Sequence, residues 1–588
     1  MVAHWADYSG PGYLSFIEDA QPELVQLGFY GAHFWSLVHT PAFDGYPAHF
    51  PERGLRECGL WFEEKNQQLH ERGVKVVGHF NVEFLVGDPE GPDGPRGFFK
   101  FYRELWDENE MGPRPVEDPL DLLERSIDGH PISQPGYGIG GMQEYWACLR
   151  NPHWQAVLKA WVKRGIQRGL DGFIINYFYR HDCHCKYCQS AFRGYLQERH
   201  TVDELKAKFG INDLDSHRFE ELVFWHDPNE STPLRREILR FSQISNKRVF
   251  DEVFHRYGRS LKPDLITAQW NHLGNFSQIS GDERCLLPAE LWGKEETYLW
   301  YSTGGSATFT DLEKRFLGEG TLQARYIRGA FEDKPFTLGK YESTRIRTAI
   351  AELAANGGAP MGFYTNFIDP LAREEIVRYY QFIKRHDDVY RANRPYAEVV
   401  LLFPRTRVHA EGDVEVVARF REIGTELLDT HVLFDVLPDD SAAEDKITKY
   451  QHVFRPTNAN LPNPGALQHV SQFTAPYTVR VSASRPAHRD DELAIHFVNY
   501  NREEPPKTPD GRPSPGGGIQ DEKPIRARGV RADLVLPAGN RVSAVDAITP
   551  EHPEPVVLEF QQDGNRVRFS MPDFLVYAVA QIRLEGNF

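Results

Sequence analysis

The chain reads as an α/β protein: a (β/α)8 TIM barrel, then a small α/β domain, then a C-terminal β-sandwich. Three observations lead there. Short apolar runs alternate with helical patterns from the start to about residue 390, a second strand–helix block opens at Tyr396, and beyond about residue 475 only strand patterns remain. The expected domains are 1–392, 393–472 and 473–588. An open, doubly wound sheet is the alternative for the first domain. Against it, no phosphate-binding glycine fingerprint follows the first strand pattern.

Gly28–Phe34 reads as the first strand and a helix follows around Arg56–Arg72. Val74–Phe80 is the next apolar run. Residues 84–145 are rich in Gly and Pro, and so long a segment between barrel units is expected to wall the active site. A helix at His153–Arg168 leads into Asp171–Asn176, and a helix at Pro233–Leu261 leads into Asp264–Trp270. Phe336–Tyr341 and Pro360–Tyr364 flank a helix at Arg345–Asn356. The second block carries Tyr396–Phe403, a helix at Val414–Thr430, Val432–Val436 and a last run at Val453. Leu493–Asn499, Ala532–Pro537, Val556–Phe560 and Val567–Ser570 read as sandwich strands, and the Pro/Gly-rich tract Glu503–Pro524 as a flexible hairpin.

Composition excludes several function classes. The 588 residues are too many for one core, and 40% hydrophobic and 13% aromatic content is that of a globular protein. A net charge of -17 argues against a nucleic-acid or membrane-surface partner. No apolar run is long enough to span a bilayer, and the start shows no basic region followed by an apolar one. A cytoplasmic protein is expected, which also suits a thiol-rich loop.

That loop follows the Asp171–Asn176 strand. Cys183, Cys185 and Cys188 form a C-x-C-x2-C run, and Cys148 lies upstream; the chain has only six cysteines. Four thiolates close a tetrahedral zinc shell with no open position, so the expected cofactor is structural zinc. Incidental buried thiols are the plainer alternative.

Barrel chemistry comes from the C-terminal strand ends. The polar and aromatic residues there are His33, Phe34 and Trp35; His79, Asn81 and Glu83; Asn176, Tyr177, Tyr179, Arg180 and His181; Gln269, Asn271 and His272; Glu290 and Trp292; Lys340, Tyr341 and Glu342; Tyr364 and Asn366. Strand ends are often polar merely because they meet solvent, so the set carries more weight than any member.

The order Cys148-x2-Asn-Pro, a helix, Asp171–Asn176 and then Cys-x-Cys-x2-Cys-Gln-x-Ala-Phe-Arg193 resembles the family-42 β-galactosidases and the broader glycosyl-hydrolase-like barrels related to them, over roughly residues 140–275. The resemblance implies a glycosidase on an oligosaccharide or glycoside, with a four-cysteine zinc site and a trimerisation-type domain at about 396–470. It makes the expected partners a carbohydrate substrate and other copies of the chain, with a trimer as first choice. It assigns Glu342 as nucleophile and Asn176 as a sugar contact. The family's acid/base glutamate is absent: its position is Tyr177.

Glu342 also reads as an ordinary glutamate at a helix N-terminus, where the macrodipole favours it. Glu290 is a second carboxylate candidate, or a rim residue paired with Lys294 across one turn. His79, Glu83, Arg180, His181, Asn271, His272, Trp292, Lys340 and Tyr364 are the remaining substrate-binding candidates. Three readings of the missing glutamate stay open: hydrolysis with the acid supplied elsewhere, a lyase or other non-hydrolytic enzyme on a uronic-acid sugar using Tyr177, or a non-catalytic carbohydrate-binding protein.

Overall fold

The computed structural model describes residues 2–3, 12–30, 56–134, 141–176, 183–222, 232–272, 293–302, 310–339, 343–360, 369–411, 414–456, 467–511 and 513–586. Its first body is a seven-stranded parallel sheet that curls into a half-barrel. The strands are β1 (Val2–Ala3), β2 (Leu24–Tyr30), β3 (Lys75–Asn81), β4 (Gly172–Asn176), β5 (Ile266–His272), β6 (Leu299–Ser302) and β7 (Phe336–Gly339). They pair in chain order with no reversal. A doubly wound sheet would reverse its order at a switch point, so this arrangement speaks against that alternative. Most of the expected strand at Pro360–Tyr364, which would close a barrel, lies outside the described residues.

The helices between strands start where local chemistry dictates. Asn151-Pro152, Thr232-Pro233 and Asp369-Pro370 each open one. The polar side chain accepts a first-turn N–H, at 3.0 Å for Asn151, 3.2 Å for Thr232 and 3.0 Å for Asp369. Proline follows where no N–H is needed. Gly172 lets β4 approach β5, since a Cβ there would lie 2.0 Å from the Ile266 carbonyl oxygen.

Several expectations are corrected. The strand read as Gly28–Phe34 begins at Leu24, because Val25 and Leu27 are buried beside β3, and it is second in the sheet after the two-residue β1. A strand unmarked in the sequence reading, β6, lies between β5 and β7. The single run Val556–Phe560 is two strands, His552–Val557 and Phe560–Asp563, in different sheets; Val557 is 79% exposed on an edge.

Beyond the half-barrel, β8 (Val399–Phe403), β9 (Phe434–Pro438) and β10 (His452–Phe454) form a parallel sheet in the order β9-β8-β10. Its apolar residues join those of the helix Glu319–Ala330 in one buried cluster. That helix touches β9 at Gly329, where a Cβ would lie 1.8 Å from the Val436 carbonyl oxygen. Six- and four-stranded antiparallel sheets follow and share a core that includes Val481, Ile495, Leu534, Phe569 and Ile582. No helix among the described residues is long and apolar enough to cross a membrane.

Candidate active site at the strand ends

Strand alternation places every second side chain inside the half-barrel. Val77, Ile174, Ala268, Trp270 and Trp300 form one buried cluster there. His79 stacks on Trp270 with centroids 4.3 Å apart and planes 20° apart, and Trp270 lies 3.9 Å from Trp300. These rings pack against one another as a floor inside the half-barrel. His79 is fully buried in it, and burial pushes its imidazole well below the ordinary range, so the ring is neutral.

Above the floor, Asn81 is level with Asn176, and both lie two residues beyond the layer of His79 and Ile174. Asn81 donates from Nδ2 to the Phe84 carbonyl at 2.8 Å and accepts from the Phe84 N–H at 2.9 Å. It therefore shapes the turn out of β3, where the Glu83 N–H also donates to Asn81 Oδ1 at 3.2 Å; Glu83 is 7% exposed. Asn176 is 6% exposed. Asn271 falls on the alternate face of β5, 5% exposed, and donates to the Gln269 carbonyl at 3.3 Å. The backbone of His272 is level with Ser302 and Gly339 on the last rung. Tyr177, Arg180, His181, Glu290, Trp292, Lys340, Glu342 and Tyr364 lie outside the described residues. Glu290 and Trp292 precede β6 in sequence and so do not end that strand.

The sequence reading missed what holds the segment after β7. The tract 503–524, expected to be a flexible hairpin, is strapped to it. Arg345 donates to the Ser514 carbonyl at 3.1 Å, the Gly518 N–H donates to Thr344 Oγ1 at 3.2 Å, and Arg347 pairs with buried Glu522 at 3.0 Å. Near β6, Arg502 donates to the Thr310 carbonyl at 3.0 Å, and the Leu312 N–H donates to Glu504 at 3.2 Å. No local pattern signals this docking. Trp270 and Trp300 were likewise hidden inside ordinary apolar strands.

The four cysteines converge. Cys148 Sγ lies 3.6 Å from Cys185 and 3.4 Å from Cys188, Cys185 lies 3.6 Å from Cys188, and all four sulfurs fall within 4.8 Å of one another. These separations are far beyond a disulfide bond. They suit a tetrahedron around one ion, whose edge is about 3.8 Å for metal–sulfur bonds of about 2.3 Å. The Arg125 and Cys185 N–H groups donate to Cys183 Sγ at 3.4 and 3.5 Å. The cluster joins residues 183–188 to the 119–148 segment, where the Cys148 N–H reaches the Leu122 carbonyl at 2.9 Å and the His184 N–H the Arg125 carbonyl at 2.8 Å.

Neither a protein-family model nor a curated protein sequence matches the chain. Solved structures do. Alpha-L-fucosidase isoenzyme 2 from Paenibacillus thiaminolyticus aligns over 100% of this chain and 99% of its own, at 13% identity and TM-score 0.59. The beta-galactosidase from Bacillus circulans sp. alkalophilus aligns over 99% and 98%, at 11% identity and TM-score 0.58. The cold-adapted beta-galactosidase from Rahnella sp. R3 aligns over 97% and 98%, at 13% identity and TM-score 0.53. At such identities the likeness is one of fold.

Proposed function

We propose that the chain is a glycoside-cleaving enzyme of the family-42-like type, acting on an oligosaccharide or glycoside at the C-terminal ends of its parallel strands. One observation carries the reading. The strand ends bring Asn81 level with Asn176 one layer beyond the stacked His79 and Trp270, with Glu83 two residues on in the chain, in a chain whose fold runs end to end with three solved glycosidases. A buried strand-end amide such as Asn176, near the carboxyl of Glu83, is a residue type that suits a sugar.

In this proposal the Pro360–Tyr364 run supplies a further barrel strand. Glu342 is the nucleophile, Asn176 contacts the sugar, and Tyr177 stands where the acid/base glutamate would be. The acid then comes from Glu83 or Glu290. The four thiolates hold a structural zinc that fixes the loop carrying the end of β4. The β8–β10 block is the assembly surface of a trimer, for which light scattering would give three times the chain mass of 67.5 kDa.

A tyrosine in the acid/base position also admits elimination from a uronic-acid sugar. A panel of nitrophenyl glycosides and uronic-acid oligosaccharides separates the cases. Nitrophenol release supports hydrolysis. Products with the ultraviolet absorbance of a conjugated double bond support the lyase. Binding without turnover of any member makes the chain a carbohydrate-binding protein and overturns the enzyme reading.

A further inference from the structure

A second cavity, of about 290 Å³, lies where the three bodies meet. Its walls come from the helix Glu319–Ala330, from β9 with Tyr450, and from the strand Val479–Arg485. That helix runs from the end of β6 back to the start of β7, and Arg325 and Arg328 lie in its second half. The cavity is therefore at the end of the half-barrel away from the strand C-termini. It is separate from the candidate active site.

Its charges are unevenly satisfied. Arg328 is fully engaged, with Asp333 at 3.0 Å and the Asn393 carbonyl at 2.7 Å, and Lys446 pairs with Glu332 at 3.0 Å. Arg325 is different. It is only 7% exposed, its guanidinium lies 4.2 Å over the Phe434 ring, and it donates from Nη2 to the Val481 carbonyl at 3.0 Å and from Nε to Asn356 Oδ1 at 3.4 Å. Among the described residues no carboxylate pairs with it, and its Nη1 has no acceptor. Lys449 stands at the rim over the Tyr450 ring at 4.8 Å, also without a carboxylate partner among the described residues. Asp435 accepts from the Tyr450 hydroxyl at 2.6 Å. It is close enough to feel Arg325 and Lys449 electrostatically, but it forms an ion pair with neither.

A buried guanidinium that neither pairs with a carboxylate nor fills its donors is costly. A cavity that also offers a second cation, a carboxylate with a phenol, and aromatic faces is built to receive something. We propose that it binds a small hydroxylated organic anion, a sugar acid or sugar phosphate, with its oxyanion between Arg325 and Lys449 and a hydroxyl donating to Asp435. The volume lies near the lower end of small-molecule sites, about 300–1,000 Å³, and suits one sugar unit.

Calorimetry and thermal shift on the full chain test this with glucuronate, glucose 6-phosphate and glucose. The expected result is binding of one or both anions with a Kd of about 1 mM or tighter, a raised Tm, and no response to glucose. Glucuronate alone assigns a carboxylate site, glucose 6-phosphate alone a phosphate site, and both together a shared oxyanion site. Lys449→Glu alters an exposed residue, so it should leave the ligand-free Tm unchanged while weakening the anion about tenfold or more. Arg325→Lys, which keeps a cation but loses the fork, should weaken it too. Ala483→Leu, which fills the cavity, should abolish it. No anion binding to the unaltered chain overturns the proposal. So does binding that survives Lys449→Glu at full strength, because that ligand would be seated elsewhere, the barrel mouth included.

Discussion

His79 lies flat against Trp270, ring centroids 4.3 Å apart, and this stack lies one layer beneath the strand-end pair Asn81 and Asn176. It separates two groups that look alike in sequence. His79 belongs to the floor, while Asn81, two residues on, belongs to the rim. Burial holds the imidazole of His79 well below its ordinary range, and its ring packs beneath the layer of Asn81.

Trp270 is consequently the keystone of that floor, touching both His79 and Trp300. Trp270→Ala should cost about 3–5 kcal/mol of stability, as large aromatic deletions in cores do. Trp270→Phe, which keeps a ring, should cost less. Thermal unfolding of both variants checks the order, and equal losses would mean that the stack is not what holds the floor.

The strap yields a second expectation. Glu522 is 2% exposed, and Arg347 is its ion-pair partner at 3.0 Å. Arg347 also pairs with Glu375 at 3.2 Å, so Arg347→Met removes an ion-pair partner from two carboxylates, one of them buried, and should cost about 3–5 kcal/mol. Proteolysis within 503–524 should speed up in the variant, because the tract loses an anchor beside the segment that carries Glu342. Unchanged cleavage would show that the other contacts of the tract hold it without Arg347.

The thiol cluster predicts one zinc per chain. Removal by a chelator at low pH, or Cys185→Ser, should lower the Tm, while the specific activity of the remaining folded protein changes less. Elemental analysis and melting curves measured together decide this. A chain that purifies without zinc and gains no stability when zinc is added would overturn the metal reading.

What the sequence made legible follows from how locally each feature is determined. β4 is an apolar run between a capped helix and a cysteine loop, so Phe173, Ile174 and Ile175 identify it unaided. The thiols are rare and closely spaced, and their meeting could be anticipated. β1 is too short at two residues to show a period. β6 follows Glu295-Glu296-Thr297 and owes its place to Trp300 and Tyr301 packing between neighbouring strands, which no local pattern records. The strap was misread because Pro and Gly were taken for flexibility. Its order comes from contacts almost 200 residues away in sequence, such as Arg502 with Thr310, where the separation is 192.

Glu398 carries a pH expectation. Burial raises its carboxyl to about 6 against the Ser471 N–H and O–H donors that act to lower it. The folded state thus holds this proton more tightly than the unfolded chain, whose value is 4.5. Stability from this group is present below 4.5 and is lost as pH rises through about 6, by roughly 2 kcal/mol at neutrality. Glu398→Gln keeps an acceptor for Ser471 and removes the charge. Its urea midpoint should match that of the unaltered chain near pH 4.5 and exceed it at pH 7. A constant difference across that range would assign the effect to packing.

The decisive chemical test pairs Glu342 with Tyr177. If hydrolysis proceeds through a covalent glycosyl intermediate, Glu342→Gln removes the nucleophile. Turnover should then fall by several orders of magnitude while substrate still binds. A lost binding contact, at about 1–3 kcal/mol, is worth roughly 5- to 150-fold. Tyr177→Phe would be mild in that case, since only a lining hydroxyl is gone. If Tyr177 moves the proton, the order inverts: deleting one oxygen stops the reaction, and Glu342→Gln acts mainly on affinity. Separate kcat and KM values for the two purified variants distinguish the mechanisms, with circular dichroism to show that both are folded. Full activity in both would place the chemistry on other strand ends, and Glu83 beside Asn81 would be the next carboxylate to replace.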